Sequence, residues 1–329
     1  MPQRPRIVVT RRPPADVLGP LHAMGDVWMW DEDSIMPRDR LLAEVGTADG
    51  VYAMLTETID EHFLDAASRT RVISNMAVGV DNVDLAACTR RGIPVGHTPN
   101  VLTETTADTA FGLLLMTARR FSEGVDFVRE GGWTTWDPEL LLGRDVHSST
   151  LGVVGMGRIG IAIARRAIGF NMRVLYHSRS RHLEAEREFG AEYRSLGDLL
   201  AESDHVILSL ALTKDTHHLI DAAAFAAMKP TAVLINVSRG PTVDADALVD
   251  ALRTGEIAAA GLDVTDPEPI PLDDPLLGLP NCVVIPHLGS SSLATRAAMA
   301  QLAVENLVAG LDGKRLPACA NPEVYGGRP

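Results

Sequence analysis

The sequence predicts an α/β protein with parallel sheets, and three observations carry that expectation. Short β-branched runs alternate with helical patterns along most of the chain, which implies βαβ crossovers. One such unit, residues 150–180, holds a glycine-rich turn between its first strand and its helix. At 329 residues the chain is long enough for two domains.

Arg6-Ile7-Val8-Val9-Thr10 reads as a strand, residues 14–24 as a helix and Val27-Trp28-Met29-Trp30 as extended chain. Residues 37–44 start a second helix, 50–55 form a third strand and 60–68 a further helix. Val72-Ile73-Ser74 leads into residues 76–81, residues 83–91 are helical, and Ile93-Pro94-Val95-Gly96 closes this unit. Val78-Gly79 falls just past a strand's carboxyl end, where open α/β sheets place ligands. Glycine there either lets backbone N–H groups reach a small anion or makes an ordinary turn, and the sequence supports the two equally.

Residues 103–120 carry Ala107, Ala110, Phe111, Leu113, Leu114, Leu115, Met116 and Ala118, leaving almost no polar face. A helix apolar nearly all round is buried, in a core or between subunits. Trp133 and Trp136 then lie in turn-rich sequence. They imply an arm against a partner or a covering loop of the same chain.

The central unit opens with Leu151-Gly152-Val153-Val154 and turns through Gly155-Met156-Gly157-Arg158-Ile159-Gly160. It continues as a helix through Ile161, Ile163, Ala164 and Ala167 and re-extends as Arg173-Val174-Leu175-Tyr176. Strand, glycine turn, helix, strand is the context in which G-x-G-x-x-G signals a dinucleotide. One glycine permits the tight turn, one lets backbone approach a pyrophosphate, and one allows close helix–strand packing. The helix N-terminus offers free donors and partial positive charge. The competing reading is a turn with no ligand.

A free ribose 2′-hydroxyl is usually held by an acidic residue at the end of the second strand. Here the tip reads His177-Ser178-Arg179-Ser180-Arg181, without a carboxylate. Hydroxyls and guanidinium groups suit a 2′-phosphate, so NADP(H) is expected over NAD(H). A solvated loop with its arginines turned away is the alternative.

Further strands are expected at 205–208, 232–236, 258–263 and 282–285, with helices at 222–228 and 244–253. From Ser290 an alanine-rich amphipathic pattern runs to Leu311 with no strand after it, and it is expected to return to the first domain. Apolar content of 46% and charged content of 22% suit an ordinary globular protein. The formal charge of −13 argues against a nucleic-acid partner, which would need a basic face. An acidic protein must concentrate positive charge where it binds anions, which gives weight to Arg158, Arg179, Arg181 and Arg239. There is no signal-peptide pattern and no apolar run of membrane-spanning length. Cys88, Cys282 and Cys319 stand at unrelated spacings and read as reduced thiols of a cytoplasmic protein. Neither His217-His218 nor Cys282 with His287 has further ligands at metal spacing, so no metal is expected.

Three groups stand at or beyond strand ends in the cofactor half. Arg239 follows Ile235-Asn236-Val237-Ser238, Glu268 lies in Asp263-Val264-Thr265-Asp266-Pro267-Glu268-Pro269, and His287 follows Ile285-Pro286. Carboxyl ends of such strands gather at the nucleotide crevice. Together these residues offer a guanidinium for an anion, an imidazole near neutral pKa, and a carboxylate to orient it and raise that pKa. Each alone has a plainer reading: a surface charge, a solvated loop, or a core histidine satisfied by a carbonyl.

NVSRG, GLDVTDPEP and PHLGS, with GMGRIG upstream and VGVDNVD before it, resemble the D-isomer-specific 2-hydroxyacid dehydrogenase family over almost the whole chain. VLTETTAD, GGWTTW and the run through NLVAGL are similar to the glyoxylate/hydroxypyruvate reductases within it. The resemblance implies two Rossmann-like or flavodoxin-like parallel-sheet domains. The cofactor domain, 102–288, would be inserted into a discontinuous substrate domain, 1–101 and 289–329. It implies Arg239 for the substrate carboxylate and carbonyl, His287 for acid/base catalysis, and Glu268 as partner of His287. Val78 and Gly79 match the loop whose backbone holds the substrate carboxylate; Leu55 and Trp136 of a neighbouring subunit would bound the pocket. Thr105, Gly155, Gly157, Arg158, Ile159, Gly160, Ser178, Arg179, Ser180, Val237, Ser238, Asp263 and Gly289 fall at cofactor positions. The missing acid at His177 departs from the NAD-using branch and matches the NADPH-using reductases. The implied protein is a homodimer, paired through 103–145, that reduces a short 2-oxo acid such as glyoxylate or hydroxypyruvate. Its rivals are a D-lactate or phosphoglycerate dehydrogenase of the same fold, and a non-catalytic dinucleotide sensor like the corepressors that resemble this family.

Overall fold

A computed structural model describes residues 4–326; residues 1–3 and 327–329 of the expected substrate domain lie outside the described residues. The chain divides into two units, one running to Leu102 and resuming at Ser291, the other formed by Thr103–Ser290.

The first unit contains β1 (Arg6–Val9), α1 (Gly19–Met24), β2 (Asp26–Met29), α2 (Arg38–Val45), β3 (Gly50–Ala53), α3 (Glu61–Ala66), β4 (Val72–Asn75), α4 (Leu85–Arg90) and β5 (Val95–Gly96). Its strands are all parallel in the order β2-β1-β3-β4-β5, the flavodoxin-like arrangement. β3 and β4 are buried along their whole length, which is why they read as continuous runs instead of alternations. Asp60 and Asp84 start α3 and α4 by accepting from the amides of Phe63 and Ala87, both at 2.8 Å, satisfying first-turn donors. The helix expected over 14–24 begins only at Gly19. Pro20 is the reason: it has no N–H to donate and is tolerated in a helix's first turn, not its middle.

The second unit contains α5 (Thr103–Ala118), α6 (Phe121–Arg129), β6 (Thr150–Val154), α7 (Arg158–Gly169), β7 (Arg173–His177), α8 (Leu183–Phe189), β8 (Glu192–Tyr193), α9 (Leu196–Glu202), β9 (His205–Leu208), α10 (Ala222–Ala227), β10 (Val233–Asn236), α11 (Ala245–Thr254), β11 (Ala259–Leu262) and β12 (Cys282–Val284). The parallel sheet runs β12-β11-β10-β9-β6-β7-β8, a Rossmann-type order whose direction of winding reverses between β6 and β9. Ala107, Phe111, Leu114 and Ala118 of α5 share a core with Ile163 and Ala167 of α7 and Val153 and Ile235 of the sheet. The apolar helix is thus buried within its own unit. Leu199, Phe225, Leu248 and Leu252 cover the other face of the sheet.

α12 (Leu293–Leu311) belongs to the first unit and packs on β3, β4 and β5. Its Asn306 is fully buried, donating to the His97 carbonyl at 3.1 Å and accepting from the Ala318 amide at 2.9 Å. A Cβ at Gly96 would lie 2.7 Å from the Asn306 Cβ, so this close approach of helix to strand needs glycine. No helix among the described residues is long and apolar enough to cross a membrane. The three cysteines are free thiols, and burial pushes Cys88 and Cys282 up to about 12.

Candidate active site

Strand register lines up the functional loops of the second unit. Successive Cα partners run His177, Val154, Leu208, Asn236, Leu262, Val284 across the sheet. The residues just beyond that row begin the loops carrying Ser178, Gly155, Arg239, Glu268 and His287. Parallel strands whose ends fall in register therefore bring all five to one edge, the carboxyl edge where doubly wound sheets bind ligands.

The three glycines of the turn do different things. Gly155 has φ 98°, and a Cβ there would lie 2.3 Å from the Ser209 carbonyl oxygen. Gly160 allows α7 to press on the turn, since its Cβ would lie 2.1 Å from the Gly155 oxygen. Gly157 is the N-cap of α7, has no side-chain cap, and a Cβ there would meet nothing within 4 Å. Open space before an uncapped helix N-terminus fits a pyrophosphate. The Ser178 hydroxyl donates to the Ser180 carbonyl at 2.5 Å, and Arg179 is exposed.

Arg181 departs from its sequence-level weighting as an anion-binding charge. It lies against Glu186 of α8, with Nε to Oε1 at 2.9 Å and Nη2 to Oε2 at 2.6 Å. The Tyr176 hydroxyl donates to the same carboxylate at 2.7 Å and accepts from the His182 amide at 2.8 Å. Hydrogen bonds from Arg181 and Tyr176 hold the Glu186 carboxyl below its ordinary range. Glu186 sits on a short charged helix that the hydrophobic pattern did not reveal.

Arg239 is placed by a buried polar turn. The Asn236 Oδ1 accepts from the Ser238 amide at 3.0 Å and its hydroxyl at 2.7 Å; Nδ2 donates to the Arg239 carbonyl at 2.9 Å. The Thr242 hydroxyl donates to that carbonyl at 2.7 Å. Gly240 presses this turn on the next loop, since its Cβ would lie 2.0 Å from the Thr265 oxygen. Asn236, Gly240 and Thr242 were not among the expected site residues. An Asn ending a strand with Ser two places on is the available signal, an Asx-type turn.

His287 and Glu268 are paired, Nδ1 to Oε1 at 2.5 Å. The imidazole is about one-quarter exposed at 25% and its partner 34%, so both remain open to a reactant. With Nδ1 engaged, Nε2 is the ring nitrogen left for chemistry. His287 has φ 51°, an uncommon conformation for a residue with a side chain. Asp263 holds it there: its carbonyl accepts from the His287 amide at 2.9 Å, and its carboxylate accepts from the amides of Leu288 at 2.5 Å and Gly289 at 2.9 Å. Burial pushes the Asp263 carboxyl up, against the pull of those amides. Gly289 is buried beside it, Thr105 lies in the first turn of α5, Arg158 and Ile159 open α7, and Val237 and Ser238 are buried after β10.

In the first unit, Leu55 follows β3 and Val78-Gly79 follows the neighbouring β4. Leu55 is exposed, Val78 and Gly79 are half-buried, and the His97 Nδ1 lies 3.1 Å from the Val78 oxygen. Trp136 of the second unit is 77% exposed.

Sheet order, glycine turn and the His287–Glu268 pair on the same sheet edge fit a dinucleotide-dependent oxidoreductase. The model of the D-isomer specific 2-hydroxyacid dehydrogenase NAD binding domain matches residues 111–289. A glyoxylate reductase from Pyrococcus furiosus is 47% identical over 98% of this chain and 96% of its own. The human glyoxylate reductase/hydroxypyruvate reductase is 46% identical over 95% and 97%. A Sinorhizobium meliloti NADPH-dependent glyoxylate/hydroxypyruvate reductase, solved with NADP and malonate, superposes with a TM-score of 0.84 at 34% identity, covering 97% of this chain and 98% of that one. The chain belongs to the D-isomer specific 2-hydroxyacid dehydrogenase family.

Proposed function

We propose that this chain reduces glyoxylate and hydroxypyruvate to glycolate and D-glycerate, preferring NADP(H) to NAD(H). The observation that carries the reading is the His287–Glu268 pair at 2.5 Å, on the sheet edge that also bears the glycine turn and Arg239. The names of the relatives support the choice of substrate, and the loop Ser178–Ser180, which lacks a carboxylate, supports the choice of cofactor.

Arg239 binds the substrate carboxylate and polarises the ketone. When bound, the reduced nicotinamide supplies a hydride to C2. Protonated His287 gives its Nε2 proton to the developing alkoxide, while Glu268 fixes the ring and balances the imidazolium charge. In the oxidative direction neutral His287 takes the hydroxyl proton. In the first unit the backbone N–H groups of Val78 and Gly79 are assigned to the carboxylate, with Leu55 beside them. Gly155, Gly157, Arg158, Ile159 and Gly160 hold the pyrophosphate, and Ser178, Arg179 and Ser180 hold the 2′-phosphate. Thr105, Val237, Ser238, Asp263 and Gly289 frame the rest of the cofactor.

Pairing with a second copy goes through 103–145. α6 has no buried residue although Phe121, Val125 and Val128 stand on it, and exposed Trp133, Trp136 and Leu142 follow. Such a face needs a cover, and Trp136 then closes the partner's pocket.

Loss of NADPH absorbance on adding glyoxylate, hydroxypyruvate or pyruvate, repeated with NADH, tests the reading. No turnover with any acid sinks the enzyme and favours a sensor. A clear preference for NADH sinks the cofactor assignment alone. Preference for pyruvate moves the chain to the D-lactate type.

A further inference from the structure

The turn carrying Leu55 and the loop carrying Val78 and Gly79 leave adjacent parallel strands, with Ala53 opposite Asn75 in the register. Two side-chain amides tie them together beyond that point. Asn75, fully buried at the end of β4, donates from Nδ2 to the Gly79 carbonyl at 3.3 Å and to the Asn82 Oδ1 at 3.0 Å. Asn82 donates from its own Nδ2 to the carbonyls of Glu57 at 2.8 Å and Met54 at 3.3 Å. Its main-chain oxygen accepts from the Ile59 amide at 2.8 Å, which fixes the residue itself.

The far side of the turn is equally constrained. The Glu57 carboxylate, 4% exposed, accepts from the Met54 amide at 2.5 Å and from the hydroxyls of Thr56 and Thr10, both at 2.8 Å. Thr10 directly follows β1, so this carboxylate anchors the 54–57 turn to a third strand end. A carboxamide has one acceptor oxygen and one donating NH₂. Asn82 points its donors at the Leu55 side and its acceptor at the amide that holds the Gly79 oxygen.

We propose that Asn82 is a positioning residue that sets the spacing between the Leu55 turn and the Val78–Gly79 backbone, and hence the seat of the substrate carboxylate. The inference rests on the assignment of those three residues to the substrate. Asn82→Asp keeps the shape but puts an oxygen where the NH₂ faced two carbonyl oxygens, so attraction becomes repulsion and the turn is pushed from the loop. Asn82→Ser removes the reach without adding charge. Both substitutions lie in the first unit, whereas the dinucleotide turn belongs to the second.

The experiment compares wild type, Asn82→Asp and Asn82→Ser by steady-state kinetics with glyoxylate and hydroxypyruvate, and by NADPH titration. We expect kcat/KM to fall about 10- to 100-fold, a loss of the size that small misplacements of substrate produce, mainly through KM. The loss should appear with both acids, because they share the carboxylate, and the NADPH dissociation constant should stay at the wild-type value. Wild-type kinetics in both variants overturn the inference and leave the enzyme assignment standing. So does a loss confined to hydroxypyruvate, which would mark a pocket-shape effect, or a loss that tracks weaker NADPH binding. Failure of both variants to fold makes Asn82 a residue of the fold and also overturns it. A wild-type protein inert toward both acids removes the underlying assignment, and this inference with it.

Discussion

Replacing Asp263 by alanine asks whether one buried carboxylate holds the proposed acid/base in place. That carboxylate is 2% exposed and accepts from the two amides that follow His287. Hydrogen bonds to a charged acceptor contribute about 1.5–3 kcal/mol each, so the gross loss is about 3–6 kcal/mol. Burial works in the opposite direction. It pushes the Asp263 carboxyl up, so the folded site disfavours the charge it holds, and alanine relieves that cost. A net loss of about 2–4 kcal/mol remains. In a unit of this size each kcal/mol moves the midpoint by about 2–4 °C, which gives a fall of about 5–15 °C. Turnover should fall further, by at least ~10²-fold, because the unanchored loop releases His287 from its left-handed conformation and from Glu268. Asp263→Asn sharpens the test: its amide offers an acceptor to one N–H and a donor to the other, so its turnover should be no better than that of alanine. Thermal unfolding followed by circular dichroism, with turnover measured on the same samples, reads both quantities. A midpoint within about 2 °C of wild type, together with turnover within threefold, would refute the reasoning.

The central strands were legible because each is buried on both faces and so reads as an uninterrupted apolar run, as in β9 and β10. The glycine turn was legible because backbone geometry excludes other residues at Gly155 and Gly160. What escaped had no comparable signal. β8 has two residues, too few to show a period. α8 buries only Ala185 and leaves no continuous apolar stripe, while the stripe of α6, Phe121, Val125 and Val128, faces no core. The side chains His287, Glu268 and Arg239 stood out by their chemistry, whereas the polar turn that places Arg239 did not. Asn236 and Thr242 are ordinary polar residues, and their places follow from the turn after β10. Arg181 shows the same limit from the other side: its charge was visible, but the carboxylate that takes it up lay on a helix that was not.

Three further outcomes follow from particular side chains. Gly160→Ala drives a Cβ onto the Gly155 backbone oxygen; dinucleotide titration should show clearly weaker binding and thermal unfolding a loss of about 1–3 kcal/mol, the usual cost of overpacking, and unchanged binding would remove that contact from the site. The pair Val125→Asp and Val128→Asp, on a helix with no buried residue, should yield a folded monomer by analytical ultracentrifugation; a dimer that survives places the interface elsewhere. His205 predicts an acid-sensitive fold. Its ring is 1% exposed, Nε2 lies 3.2 Å from the Asp145 oxygen, and among the described residues the buried Nδ1 has no partner. Burial holds its pKa below the ordinary 6.5. As pH falls through 6.5 the unfolded chain takes up a proton that the folded chain refuses, so stability is complete above that pH and is lost below it, by up to ~1.4 kcal/mol per pH unit. His205→Asn should flatten the midpoint between pH 7 and pH 5; an unchanged slope in the variant would assign the acid sensitivity to other groups.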